Sequence, residues 1–196
     1  AYITPAEYYM SPKSINVIKR DGRKELFALD KVHRVLDWAT ADITGVSISE
    51  IELKANIQLY DGIEADQIHE LLIKSASDLI SENTPNYQFV AARLVNYKLR
   101  KEVYGQYDPL PLVEVIINNV SDYVYDGAIM DKYSREEIEQ LDSYIKHDRD
   151  DKFTYVAMEQ FRGKYLVQDR STGKIYETPQ IAYMMIAATL FAEYPQ

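Results

Sequence analysis

Not one of the 196 residues is a cysteine, which removes disulfides, thiolate zinc sites and any thiol or thiyl chemistry carried by this chain itself. That composition suits a reducing compartment, and a cytoplasmic location is expected. Long apolar runs are missing too. The longest nearly apolar stretch, residues 181–192, is 12 residues long and includes Thr189, whereas a membrane span needs about 20. It reads as a buried helix. A basic excess is also lacking: 31 acidic against 22 basic side chains leave a net charge of −9, which disfavours general attraction to nucleic acid or an anionic membrane. The first 14 residues carry neither the basic n-region nor the apolar h-region of a signal peptide and read as a loose N-terminal arm. His33, His69 and His147 fall on different expected elements, so their spacing suggests no metal triad. Neither a Ser/His/Asp signature nor a P-loop pattern occurs. No catalytic residue and no metal ligand is assigned.

What is present starts with 46% hydrophobic residues, enough for a sizeable core, and 17 tyrosines suited to the edge of that core, apolar in body and wet at the hydroxyl. The chemically richest stretch is residues 15–39. There Lys19-Arg20-Asp21-Gly22-Arg23-Lys24 joins two strand-like runs through Asp-Gly, a pair that supplies the positive φ angles of a tight hairpin. Lys19, Arg20, Arg23 and Lys24 then surround one turn. Asp30 follows as an expected N-cap for a helix with Val32, Val35, Leu36 and Ala39 at i, i+3, i+4 and i+7. Two readings stay open at this point: a solvated charged tip, or a basic hairpin folded over a helix to surround a polyphosphate.

Further along, Ser47 to Glu50 offers a capping box for a second helix, closed by Tyr60-Asp61-Gly62. A third helix is expected over residues 65–80, and after Asn83-Thr84-Pro85 the longest over 86–104. Lys98, Arg100 and Lys101 near its end complement a helix C-terminus. The two prolines in residues 106–111 mark the expected domain boundary. Beyond it come a helix over 112–123, a turn at Asp126-Gly127 and a helix to about residue 146 opened by a capping box at Ser134. The segment His147-Asp148-Arg149-Asp150-Asp151 reads as a polar interhelix loop rather than a metal site, since its spacing matches no ligand pattern. A helix over 153–164, a hairpin about Ser171-Thr172-Gly173 and a last helix opened by Thr178-Pro179 complete the chain.

Several blocks, in order, resemble the N-terminal part of class I ribonucleotide reductase large subunits. They are Val17 to Gly22, Leu29 to Leu36, Tyr87 to Arg93, Arg100 to Tyr107 and Lys164 to Val167. The resemblance implies a mainly α fold with a small β-hairpin sheet. Residues 15–105 would be an ATP-cone, a hairpin lid on a four-helix bundle, and residues 106–196 a helical lead-in to a catalytic barrel whose cysteines and substrate pocket lie outside this sequence. On this reading the chain is a fragment, excised or separately made, of an oxidoreductase that reduces ribonucleotides to deoxyribonucleotides. ATP or dATP would act as allosteric effector of overall activity, with Mg2+ accompanying the triphosphate and no cofactor for chemistry in this chain. Partners would be the remainder of the large subunit, the radical-generating small subunit and further copies in a homo-oligomer, with no nucleic acid and no membrane.

The same resemblance places nucleotide contacts at Val17, Lys19, Arg20, Glu25, Phe27, Lys31, Val32, His69 and Lys101. Lys19, Arg20 and Lys101 would neutralise phosphates, Glu25 would accept a hydrogen bond from the adenine amino group, and Val17, Phe27 and Val32 would form apolar walls. Ala28 and Ala65 depart from the asparagine and threonine common in relatives. Two lost hydrogen bonds of roughly 0.5–1.5 kcal/mol each would weaken binding ~5- to 100-fold. The alternatives are a cone from an anaerobic reductase, a helical interaction module that has lost nucleotide binding, and a cone-bearing transcriptional repressor. The last normally carries a zinc ribbon, which a cysteine-free chain cannot build.

Overall fold

A computed structural model describes residues 15–194; the expected N-terminal arm lies outside them. They are mainly helical with one small sheet, and the chain divides into two compact units between Leu94 and Val95.

In the first unit, strands β1 (Asn16–Ile18) and β2 (Lys24–Leu26) pair antiparallel with Val17 opposite Glu25. The turn between them is a three-residue connection: Gly22 N–H bonds Lys19 O at 2.9 Å, Lys19 N–H bonds Arg23 O at 2.8 Å, and Gly22 alone takes positive φ, +81°. That geometry is a type I turn followed by a left-handed residue, so only the glycine of the Asp-Gly pair uses its conformational freedom. Helix α1 (Leu29–Thr40) begins two residues earlier than an N-cap at Asp30 implies. Its N-cap is Ala28, which has no side chain to offer, and Asp30 sits in the first turn, where its charge complements the helix dipole.

Helix α2 (Ile48–Gln58) has Ser47 as N-cap, accepting from Glu50 N–H at 3.4 Å. The expected reciprocal bond from Ser47 N–H to Glu50 is replaced by a relay: Ser47 N–H donates to the Tyr87 hydroxyl at 2.9 Å, and that hydroxyl donates to Glu50 Oε2 at 3.1 Å. A distant aromatic thus completes a local motif. Strand β3 (Ile63–Glu64) pairs parallel with β1, giving the order β2-β1-β3. Ile63 and Glu64, which the sequence reading assigns to no element, become strand because Asp61 Oδ1 takes Asn16 N–H at 2.7 Å and Gly62 N–H bonds Asn16 O at 2.9 Å. Helix α3 (Ala65–Ser77) ends three residues short of expectation. It opens with a capping box in which Glu64 N–H bonds Gln67 Oε1 at 3.2 Å. Helix α4 (Tyr87–Tyr104) opens in this unit, and its residues from Val95 onward belong to the second.

The second unit contains α5 (Leu112–Ser121), α6 (Ala128–Lys132), α7 (Arg135–Tyr144), a 3₁₀ turn (His147–Lys152), α8 (Tyr155–Gln160) running into a π-helical turn (Phe161–Tyr165), and α9 (Pro179–Leu190). The Ser134 capping box is complete, with Glu137 N–H to Ser134 Oγ at 3.2 Å and Ser134 N–H to Glu137 Oε2 at 2.8 Å. Leu112, Ile116, Ile129, Ile138, Ile181 and Met185 form the buried centre. Around Ser171 the expected hairpin shrinks to one antiparallel bridge, Gln168 with Ile175, while Asp169 Oδ1 accepts from both Ser171 N–H and Ser171 Oγ at 2.8 and 2.7 Å. Turn chemistry there outlasts the ladder.

The segment 147–151 is no solvated loop. Asp150 is fully buried and accepts from Gln180 Nε2 at 3.0 Å, Asp151 accepts from Asn96 at 2.8 Å, and Arg100, itself buried, donates to His147 O at 2.9 Å. Burial, opposed by Gln180 and the Arg100 charge, pushes the Asp150 carboxyl up to about 7. Burial and Arg100 hold the His147 imidazole below its usual value. These groups fix the packing of the 3₁₀ turn against α9. Helix α9 departs from expectation in another way: Ile181, Ala182, Met185 and Ala188 are buried, but Tyr183, Ile186 and Leu190 are exposed. No helix among the described residues is long and apolar enough to cross a membrane.

Candidate functional site

The hairpin gathers charge around one carboxylate. Glu25, on β2, has Lys19 Nζ at 3.4 Å, Lys31 Nζ at 3.9 Å and Arg23 at 3.9 Å. Three cations share one anion because the three-residue turn folds Lys19 and Arg23 back beside β2, while α1 starts immediately after the strand and presents Lys31 in its first turn. Arg23 also holds Asp21 at 2.6 Å, and its backbone N–H and guanidinium keep the Asp21 carboxyl below the ordinary range. The surplus positive charge is partly exposed and free to regroup, since such pairs contribute only about 0–1 kcal/mol each.

Arg20, at the tip, reaches α3 instead, where Asp66 accepts from its guanidinium at 3.1 Å. His69 is half-buried three residues further along α3, so it shares a helix face with Asp66. Asp66 is the member of this cluster that sequence reasoning left out of the site; Arg23 belongs to the basic turn read from the residues but not to the contacts that the resemblance implies. Asp66 reads from sequence as one more acidic residue in a helix's first turn, and only the fold of β1 beside β3 brings Arg20 to it.

Beneath the charges lies an apolar patch. Val17, Ile63 and Ile68 are buried together, with Phe27, Val32, Leu59, Ala65 and Leu71 packed against them. Of the expected walls, Val17, Phe27 and Val32 are therefore brought together, and Ala65 joins them as a packing residue. Beneath the patch a cavity of about 10 Å³, lined by Phe27, Val32, Ile68 and Glu52 among others, admits no more than one water. The patch is a wall, not a slot. Glu52, buried at its edge, is held by His33 Nδ1 at 2.7 Å, which raises the imidazole pKa.

Among the nine expected contact residues, Val17, Lys19, Glu25, Phe27, Lys31 and Val32 form one cluster, and Arg20 and His69 lie on the α3 side of the same unit. Lys101 falls in the second unit, where its ammonium stands 5.6 Å from the centre of the Tyr97 ring. Among the described residues no group of three or more His, Asp or Glu side chains is arranged to hold a metal ion.

The three-stranded sheet with its basic turn and the helices carrying the apolar patch fall within residues 15–102, which match the ATP cone domain. Residues 151–195 match the all-alpha domain of ribonucleotide reductase. The chain is 50% identical over 184 residues to ribonucleoside-diphosphate reductase 1 subunit alpha of Salmonella typhimurium and 49% identical over 184 residues to that of Escherichia coli, each match covering 94% of this chain and 24% of the relative. A subunit alpha from Enterobacteria phage T4 is 45% identical over 183 residues, 92% of this chain and 24% of its own length. The chain carries these two domains, is about 50% identical to the N-terminal region of class I ribonucleotide reductase alpha subunits, and spans about a quarter of the length of the curated relatives it matches.

Proposed function

We propose that the first unit senses adenine nucleotides for a ribonucleoside-diphosphate reductase, binding ATP or dATP against the hairpin and thereby setting overall activity. The observation that carries this reading is the convergence of Lys19, Arg23 and Lys31 on the single carboxylate of Glu25 beside the Val17–Phe27–Val32 patch. A triphosphate offers several charged oxygens in place of one carboxylate and would recruit the same cations through charge-assisted hydrogen bonds. Glu25, relieved of them, would accept the adenine amino hydrogen. Arg20 would exchange Asp66 for phosphate, and Mg2+ would arrive with the triphosphate rather than on protein ligands.

Reduction of ribonucleotides, the radical-generating small subunit and assembly into a homo-oligomer belong to this proposal through the family. With no cysteine, this chain alone should turn over no ribonucleotide. With Ala28 and Ala65 in the pocket, the complete enzyme should bind ATP but show blunted inhibition by dATP.

Calorimetry with ATP, dATP and GTP tests the reading. Lys19→Ala should raise the dissociation constant and flatten its salt dependence. The resemblance assigns a phosphate contact to Lys101, and Lys101→Ala is the arm that tests it. If both variants bind ATP as tightly as wild type, the site is elsewhere or absent.

A further inference from the structure

Helix α9 is apolar around nearly its whole circumference; only Gln180 and Thr189 interrupt it after the opening proline. A helix of that kind is stable when covered on all sides. Here one side is covered by the second unit's own core, through Ile181, Met185 and Ala188, and the other carries Tyr183, Ile186 and Leu190, which are 49%, 57% and 65% exposed. Their spacing of three and four residues puts them in one stripe. The stripe does not end on a flat surface. Ile186 and Leu190 also line a cavity of about 520 Å³ that continues to Ile129, Val167, Tyr125 and Glu177. Its one buried carboxylate, Glu177, accepts from the Tyr125 hydroxyl at 2.5 Å and Val167 N–H at 3.0 Å, and the charged residues Asp126 and Lys132 that also line the opening are exposed, so the inner surface is mainly apolar.

We propose that the α9 stripe and this cavity are the docking surface for an apolar segment of the large subunit drawn from outside the quarter that this chain matches. This rests on reading the chain as the N-terminal part of that subunit. Two observations choose this occupant. The relatives carry about three quarters of their length outside the matched quarter, so a large body of polypeptide is available to cover this surface. Two copies of this chain, each with a net charge of −9, would repel one another across a shared apolar face.

The test compares the 196-residue chain alone with a chimera in which it replaces the matched quarter of the Salmonella relative. In the isolated chain, Ile186→Asp and Leu190→Asp should leave the melting midpoint within about 2 °C, since each side chain is already mostly in water. In the chimera the same substitutions should lower it by more than about 5 °C, with hydrogen exchange at α9 speeding up at least tenfold. Tyr123→Asp, at a side chain 96% exposed that does not line the cavity, is the control that should do little in either setting. Equal shifts in the two settings overturn the proposal, as does self-association of the isolated chain that Leu190→Asp dissolves. If the chimera does not fold, the chain and the relative's remaining three quarters are co-expressed as separate polypeptides; failure to co-purify, or co-purification indifferent to Leu190→Asp, overturns it as well. Calorimetry with ATP on the same samples separates a failure here from a failure of the nucleotide proposal, because neither substitution touches the hairpin.

Discussion

In the hairpin of the first unit the charged side chains stand partly in water, Lys19 at 32%, Glu25 at 38% and Arg23 at 70% exposure, whereas in the second unit Asp150 is fully buried and Arg100 is 5% exposed. The two arrangements contain similar chemistry and serve opposite ends. Exposed pairs contribute about 0–1 kcal/mol and exchange partners at little cost, which suits the nucleotide site proposed above, where phosphates would take over the cations. Buried charges have lost their water. Their partners are hydrogen bonds that cannot be removed one at a time without leaving the rest uncompensated, which suits a fixed junction between α4, the 3₁₀ turn and α9. If this contrast is right, substitutions in the second unit act on stability and substitutions in the hairpin act on binding.

The largest effect expected is from Arg100→Met. It removes the donor to His147 O and the positive charge that opposes the burial of Asp150, and should destabilise the protein by about 3–5 kcal/mol in urea unfolding. A loss under 1 kcal/mol would place the buried cluster on the same footing as the hairpin and end the comparison.

Next comes the pH dependence of Asp150. Its carboxyl is raised in the folded state from 3.8 to about 7, so the folded protein holds the proton more tightly than the unfolded chain does. The stability this group contributes is full below the unfolded value, falls as pH rises from about 4 to about 7, and is flat above. At about 1.4 kcal/mol per pKa unit, its upper bound is on the order of 4 kcal/mol. Asp150→Asn should remove most of that slope from urea midpoints measured between pH 5 and 8. A wild-type slope equal to the variant's would contradict the burial argument.

A smaller effect sharpens the contrast from the other side. Ala28 is the N-cap of α1 and makes no side-chain bond, so Ala28→Asn supplies a missing cap and should stabilise the protein by about 0.5–2 kcal/mol in the absence of nucleotide. Any gain in ATP or dATP affinity from this substitution has to be read after subtracting that cap. Thermal melts with and without nucleotide separate the two contributions.

The smallest effect is at His33. The hydrogen bond and charge of Glu52 raise its pKa above the ordinary 6.5, so the stabilisation carried by the protonated ring is complete below 6.5 and disappears as pH rises through the raised folded value. An NMR titration should find the His33 midpoint above 6.5, and Glu52→Gln should bring it back toward that value. A wild-type midpoint at or below 6.5 would mean that the pair does not form in solution.

Much of this was legible in the residues themselves. The helical succession follows from apolar periodicity, the Ser134–Glu137 box from its spacing, and the last helix from Thr178-Pro179, because each of these signals is made and satisfied within a few residues. The hairpin was legible for the same reason. What required the tertiary structure were features whose partners lie far apart in the chain. Strand β3 exists because Asn16 binds Asp61 and Gly62, the start of α2 is completed by Tyr87, and Arg20 finds its carboxylate on Asp66. Asp150 looks like surface charge in a sequence of five polar residues, and only its seat against Gln180 buries it. Residues 181–192 show the converse: composition marked them as a helix to be covered, but which side this chain covers was decided by packing. The sequence by itself determined the local hydrogen bonds and the apolar patterns, since those depend on neighbours three or four positions away. The tertiary structure decided which charges share a partner and which lose their water, since Coulomb attraction and desolvation depend on distance in space.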